Sequence, residues 1–147
     1  MSGHVDYYFT PISPFVYLGH ARFVATARWH GATIAVKPIN LGQVFPVSGG
    51  LPLSKRAPQR QAYRLVELKR WSHHLGVPLN PQPAHFPISA DLASRWVLAA
   101  LEQSVDVALD LALAQGRAVW AEDRNIRRRG DARGDRDGAG TRRRRAR

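Results

Sequence analysis

The chain has 147 residues, enough for one domain, and 44% of them are hydrophobic, which excludes a wholly disordered protein. It contains no cysteine, which excludes disulfides, zinc–thiolate sites, iron–sulfur clusters and any mechanism that uses a thiol of the protein as nucleophile. The net charge of +11 is concentrated in residues 127–147, which hold ten Arg and three Asp.

Residues 127–147 are predicted to be a disordered basic tail. They contain no apolar residue larger than Ala, so they cannot bury enough surface to offset their chain entropy. Two interpretations remain: a basic arm for nucleic acid or another polyanion, or the translation of GC-rich DNA read out of frame. The abrupt change of composition after Ile126 favours a frameshift. Nucleic-acid binding is then expected only as a nonspecific effect of the tail.

The location of the protein is predicted from what the sequence lacks. No apolar run approaches the roughly 20 residues that a membrane-spanning helix needs. The first residues lack the basic and apolar regions of a secretory signal. We therefore expect a cytoplasmic protein with no membrane partner.

The first 39 residues predict a βαβ unit. The segments His4–Phe9 and Thr33–Ile39 are rich in β-branched and aromatic residues and predict strands. Between them, Ser13 at the N-cap and Pro14 at the first helical position predict the start of a helix that runs to about Trp29. A strand, a helix and a strand over so short a span form a right-handed crossover between parallel strands.

The chain that follows is predicted to be helical. The helices are expected over Leu41–Val47, Gln59–Leu75, Ser89 to about Gln103, and Val105 to about Ala121. No later strand extends the sheet, and two strands alone make a poor one. We therefore predict a partial α/β domain over residues 1–126, with the βαβ unit at 4–39 and the helical segment at 41–121.

Ser13 has the strongest chemical signal in the chain. It lies in the turn between the first strand and the first helix, where α/β folds place reactive groups. The free N–H groups of a helix start favour an anion there, such as a phosphate, a carboxylate or an external thiolate. The alternative is that Ser13 only caps the helix. No His or Asp partner is identifiable, so Ser13 itself is not predicted to attack a substrate.

Residues 7–20, Tyr-Tyr-Phe-Thr-Pro-Ile-Ser-Pro-Phe-Val-Tyr-Leu-Gly-His, resemble the opening of the 2-hydroxychromene-2-carboxylate isomerases and the related kappa-class glutathione transferases. The likeness continues through Lys37-Pro-Ile-Asn-Leu-Gly, Gly49-Gly-Leu-Pro, Tyr63–Trp71 and Val119–Ile126, and covers about residues 4–126. It implies a DsbA-like, thioredoxin-like βαβ start with an all-helical insertion, followed in the family by strands that have no counterpart here. The C-terminal half of the sheet is thus expected to be missing, and the chain to be marginally folded and nearly inactive.

The resemblance implies glutathione as the cofactor, an aromatic small molecule as the substrate, and a homodimer. In thioredoxin-like oxidoreductases a dithiol occupies the start of the first helix, but here that place reads Ile-Ser-Pro-Phe. Ser13 would instead hold the glutathione sulfur as a thiolate, as helix N-termini lower thiol pKa values. Reversible addition of that thiolate to a hydroxychromene carboxylate would allow ring opening, rotation and release of the trans benzylidenepyruvate. The alternatives are a kappa-class-like transferase and a non-catalytic protein that binds nucleic acid through its tail.

The candidate site residues carried by the resemblance lie in three segments. Ser13 is the candidate catalytic residue, and the candidate glutathione-binding residues are Ser13, Pro14, Phe15, Gly50, Arg60 and Arg64. Gly50 stands where the family often has Asn, and Ala62 where kappa-class enzymes have Lys. Arg60 or Arg64 would supply the missing cation, although a solvated surface charge is the alternative for both, as it is for Lys55 and Arg56.

The aromatic and histidine residues give weaker signals. Phe15, Tyr17 and Trp71 are candidates to line an aromatic substrate pocket. The four tryptophans, on predicted helices, are expected to pack in the core or between helices: Trp29, Trp71, Trp96 and Trp120. The six histidines do not have the spacing of metal ligands, so no metal site is predicted.

Overall fold

The computed structural model describes residues 3–126. In chain order its elements are β1 (His4–Phe9), α1 (Pro14–Trp29), β2 (Thr33–Pro38), α2 (Leu41–Ser48), a 3₁₀ turn (Leu53–Lys55), α3 (Pro58–Leu75), α4 (Asp91–Leu101) and α5 (Val105–Trp120). The α/β class, the βαβ start and the helical segment after it are confirmed. The predicted basic tail, residues 127–147, lies outside the described residues.

The two strands pair in parallel. The register runs from His4 opposite Thr33 to Phe9 opposite Pro38, and within residues 3–126 the sheet consists of β1 and β2. Parallel strands need a crossover, and α1 supplies it. The carboxyl end of β1 therefore leads directly into the turn that carries Ser13.

The helix boundaries follow from local capping. The Ser13 hydroxyl accepts a hydrogen bond of 3.4 Å from the Val16 N–H at the start of α1, and the Ser104 hydroxyl accepts one of 3.1 Å from the Val107 N–H at the start of α5. At the end of α3, Gly76 adopts a left-handed conformation with φ of 64°, which glycine reaches without steric cost. These signals are local, so the sequence locates these helix ends to within a residue or two.

The core forms between the small sheet and three helices. One buried cluster joins β1, β2, α1, α4 and α5 and includes Phe9, Val24, Val36, Val97 and Leu109. A second cluster joins α1 and α5 to the connection before α4 and includes Tyr17, Ile88, Val119, Trp120 and Ile126. Helices α4 and α5 thus cover the sheet, while α3 packs against α1 alongside the turn that carries Ser13.

The expectation for the tryptophans is wrong at two positions. Trp120 is fully buried, but Trp29 is 87% exposed and Trp71 is 42% exposed. Trp29 is the last residue of α1 and follows the buried Ala27 by two positions, about 200° around the helix, so it faces away from the core. No helix in the described part of the chain is long and apolar enough to span a bilayer.

Candidate active site

A cavity of about 410 Å³ lies beside Ser13. Its walls come from the turn before α1, the start of α2, the segment that precedes α3, one residue of α3, and the loop that leads into α4. Its lining includes the charged and hydroxyl-bearing residues Ser13, Arg56, Arg64 and Asp91 and the aromatic residues Phe15, Phe45 and Phe86. A cavity of this size can enclose a ligand of a few hundred daltons.

Ser13 contributes a hydroxyl group at the N-terminus of α1. Its oxygen accepts the hydrogen bond from the Val16 N–H, so its own hydrogen can be donated to a ligand in the cavity. The backbone N–H groups of the first helical turn lack intrahelical acceptors and carry the positive end of the helix dipole. The two interpretations of Ser13 are therefore compatible, because the residue caps α1 and also faces a cavity suited to an anion.

Arg64 contributes a cation that has no carboxylate partner in residues 3–126. Its guanidinium carbon lies 5.5 Å from the ring centroid of Phe86 and 5.7 Å from that of Trp120. Partial burial, and to a smaller extent the charge of Arg56, lower the pKa of Arg64, which nevertheless remains a cation at neutral pH. A half-buried cation in a cavity wall, without a carboxylate partner, has the charge and hydrogen-bond donors that an anionic ligand needs.

Arg56 brings a second positive charge to the same cavity. Its Nε donates a hydrogen bond of 2.8 Å to the carbonyl oxygen of Leu51, which orients the side chain. From the sequence, Arg56 was a candidate cation in a loop, with a solvated surface charge as the alternative. The loop before α3 brings it to the cavity, a position that no periodicity in the sequence indicates.

The aromatic lining differs from the predicted one. Phe15 lines the cavity, but Tyr17 is buried and donates a hydrogen bond of 3.1 Å to the Pro78 carbonyl oxygen. Two residues along a helix correspond to about 200°, so Phe15 and Tyr17 face opposite sides of α1. Trp71 packs its ring against His74 away from the cavity. Phe45 and Phe86, which the sequence did not single out, complete the aromatic wall.

The comparisons with known proteins agree with this geometry. A family model described as a DSBA-like thioredoxin domain matches residues 4–141. The chain belongs to the DsbA-like thioredoxin domain family. Its βαβ start has the expected order of elements, and Ser13 occupies the start of α1 in a domain without cysteine.

Relatives of this DsbA-like domain carry an enzyme name. The chain is 36% identical over 76 residues to "2-hydroxychromene-2-carboxylate isomerase" of Pseudomonas putida, which is 51% of this chain and 37% of that protein. It is 30% identical over 122 residues to the protein of the same name from Sphingobium xenophagum, which is 82% of this chain and 60% of that protein. The resemblance of the sequence to the 2-hydroxychromene-2-carboxylate isomerases is thereby confirmed.

A solved structure shares the fold. The structure of selenomethionine 2-hydroxychromene-2-carboxylate isomerase superposes with a TM-score of 0.60 and 30% identity, over 82% of this chain and 58% of that one. This DsbA-like domain therefore spans at most about three fifths of the length of the relatives that it matches.

Two of the candidate residues do not line the cavity. Arg60 is exposed in the first turn of α3, one turn before Arg64. Gly50 lies behind the wall, where an added Cβ would overlap the ring of Phe45. Gly50 thus borders the site through Phe45, whereas Pro14 and Arg64 line it.

A second cavity of about 300 Å³ lies along α4 and α5. Trp96 and Gln115 line it, and the Gln115 Oε1 atom is buried without a hydrogen-bond partner among the described residues. Ser13, Arg56 and Arg64 do not reach it. The chemistry of the candidate site therefore belongs to the first cavity.

Proposed function

We propose that this domain forms the glutathione-binding part of a glutathione-dependent isomerase of the 2-hydroxychromene-2-carboxylate type. The observation that carries the proposal is that the Ser13 hydroxyl and the unpaired Arg64 guanidinium line one cavity at the start of α1. The isomerase name of the relatives supports the reaction class.

The residues of the cavity fit glutathione and an aromatic acid. Glutathione carries a thiol and two carboxylates, which match a hydroxyl donor at a helix N-terminus and the two arginines, Arg56 and Arg64. The rings of Phe15, Phe45 and Phe86 offer apolar surface to a planar substrate. When bound, glutathione supplies the nucleophilic sulfur that a chain without cysteine lacks.

Each group of the protein has a role that its environment supports. Ser13 donates a hydrogen bond to the bound anion, and the N-terminus of α1 stabilises the same negative charge. Arg64 lies against the rings of Phe86 and Trp120 and binds a carboxylate where water screens the charge less than at the surface. The aromatic wall holds the substrate and excludes water from the reacting atoms. Ser13 acts as a hydrogen-bond donor and keeps its proton, because no hydrogen bond within residues 3–126 joins its hydroxyl to a basic side chain.

The proposal is tested by the thiol pKa of bound glutathione in the 147-residue chain. We expect the bound thiol to titrate below its free value of about 8.5, measured by thiolate absorbance against pH. Ser13→Ala should return that pKa toward the free value. A wild-type complex whose thiol titrates as free glutathione would overturn the proposal.

Ser104→Ala is the matched control, because Ser104 caps α5 as Ser13 caps α1 but lies outside the cavity. It should lower stability by a similar amount, about 1 kcal/mol, and leave the bound thiol pKa unchanged. Isomerisation of 2-hydroxychromene-2-carboxylate is assayed on the same variants. The wild-type chain is expected to turn over slowly, since it spans about three fifths of its relatives. The turnover that remains should require glutathione and fall in Ser13→Ala; equal turnover without glutathione contradicts the proposed mechanism.

A further inference from the structure

We propose that Trp120 is a positioning residue that holds the Ser13 turn and the Arg64 guanidinium at one cavity, so that the hydroxyl and the cation act on the same ligand. The inference rests on the proposed function and adds a residue that lies behind the cavity wall. Trp120 is fully buried at the end of α5 and belongs to the second core cluster.

The first contact of Trp120 fixes the backbone before Ser13. Its indole N–H donates a hydrogen bond of 3.1 Å to the carbonyl oxygen of Ile12, and Ile12 directly precedes Ser13 and lines the cavity. A hydrogen bond from a fully buried donor competes little with water. It therefore restrains the peptide unit that joins Ile12 to Ser13.

The second contact places the cation. The Trp120 ring lies 5.7 Å from the guanidinium carbon of Arg64 and 4.8 Å from the ring of Phe86, which approaches the same guanidinium at 5.5 Å. Aromatic faces attract a cation without cancelling its charge. Arg64 is thus held in place while its charge stays available to an anion.

A third contact concerns the segment between α3 and α4, part of which lines the cavity. The backbone oxygen of Trp120 accepts a hydrogen bond of 2.6 Å from the Asn80 N–H, in the segment between α3 and α4. This segment also carries Phe86. One residue of α5 therefore connects the turn before α1, the arginine of α3 and the loop before α4.

The test compares Trp120→Phe with Trp29→Phe, a matched change at an exposed tryptophan far from the cavity lining. Trp120→Phe should weaken glutathione binding about fivefold, the effect of one lost hydrogen bond, and raise the bound thiol pKa. Trp29→Phe should change neither. If Trp120→Phe lowers only the melting temperature, with affinity and thiol pKa unchanged in the folded protein, Trp120 is a packing residue and the proposal fails.

A second variant separates the two contacts and guards against misfolding. Benzothienylalanine at position 120 keeps two fused aromatic rings and has a sulfur atom in place of the N–H donor. It should raise the bound thiol pKa as Trp120→Phe does, while the Arg64 Nε–H resonance stays in place. An unchanged thiol pKa in this variant would show that the hydrogen bond to Ile12 does not position Ser13.

A measurement without glutathione distinguishes failure of this inference from failure of the proposed function. In the NMR spectrum of the free protein, Trp120→Phe should shift both the Ser13 amide and the Arg64 Nε–H resonances, and Trp29→Phe should shift neither. If only one of the two resonances shifts, Trp120 does not position both groups and the proposal is overturned. If the wild-type chain does not bind glutathione, the proposed function fails, whereas these resonances still decide whether Trp120 joins the two groups.

Discussion

The His20 imidazole donates a hydrogen bond of 3.0 Å from Nε2 to the carbonyl oxygen of Leu109, and its Nδ1 lies 3.0 Å from the hydroxyl of Tyr7. A carbonyl oxygen can only accept, so Nε2 carries the proton and the Nδ1 atom of the neutral ring accepts from Tyr7. His20 is 2% exposed. This chain of hydrogen bonds joins β1, α1 and α5 inside the core.

Acidification should destabilise the fold through His20. Burial lowers the pKa of His20 below its usual 6.5, against the smaller opposing effect of the hydrogen bond to Leu109. The unfolded chain therefore takes up the proton first. The stability that the folded protein owes to neutral His20 is fully present above pH 6.5. It is lost as the pH falls toward the pKa of His20 in the folded state, by at most about 1.4 kcal/mol per pH unit.

Urea unfolding at pH 7.5 and pH 5.5 measures this effect before most carboxylates titrate. His20→Leu should be less stable at pH 7.5, because Tyr7 loses its acceptor, and should lose part of the pH dependence. His30→Leu, at an exposed position, is the control and should keep the wild-type dependence. Identical pH profiles for wild type and His20→Leu would contradict the prediction.

Tyr7 should lose its proton only at high pH in the folded protein. Burial raises the pKa of Tyr7 to about 12, from an ordinary value of 10.0. The folded state keeps the proton longer than the unfolded state, so stability is present below pH 10 and is lost as the pH rises toward 12. Burial also raises the pKa of Tyr17, so phenolate absorbance at high pH should lose the contribution of one tyrosine in Tyr7→Phe and keep its full size in Tyr63→Phe. An undiminished high-pH step in Tyr7→Phe would contradict the prediction.

Two helix glycines should respond oppositely to alanine. A Cβ at Gly19, in α1, meets no atom within 4 Å, so Gly19→Ala should stabilise the protein by about 0.5–1 kcal/mol through helix propensity. A Cβ at Gly116, in α5, would lie 3.0 Å from the Tyr17 Cβ, which cannot move without its helix. Gly116→Ala should therefore destabilise it, by about 1–3 kcal/mol. Chemical denaturation of both variants checks the prediction, and the same sign of change in both would refute it.

Gln115 should be replaceable by an apolar residue. Its Nε2 donates a hydrogen bond of 3.1 Å to the Ala93 carbonyl oxygen, but its buried Oε1 has no partner among residues 3–126. Gln115→Met removes one hydrogen bond and one unsatisfied acceptor, so the free energy of unfolding should change by less than about 1 kcal/mol. Leu109→Ala, in the core, should cost about 2–5 kcal/mol. If Gln115→Met and Leu109→Ala lose the same free energy of unfolding, the Gln115 Oε1 atom has a hydrogen-bond partner in the folded protein.

The candidate site could be predicted from the sequence only where a local signal marks it. Ser13 and Pro14 were found because a cap and an N-terminal proline are features of neighbouring residues. Arg64 was one of two candidates on α3, and no pattern in the sequence distinguished it from Arg60. Arg64 differs from Arg60 in its contacts with the rings of Phe86 and Trp120, which come from segments distant in the sequence.

The sequence by itself determined the order and limits of the helices and strands, the absence of a protein thiol, and the family. Capping residues, hydrophobic periodicity and residue composition act over a few positions, so they can be read without coordinates. Only the tertiary structure decided which arginines and rings meet Ser13, and that Trp120 connects them. Those contacts join residues as far apart as Ile12 and Trp120, and they depend on how α5 packs against α1, which no local pattern encodes.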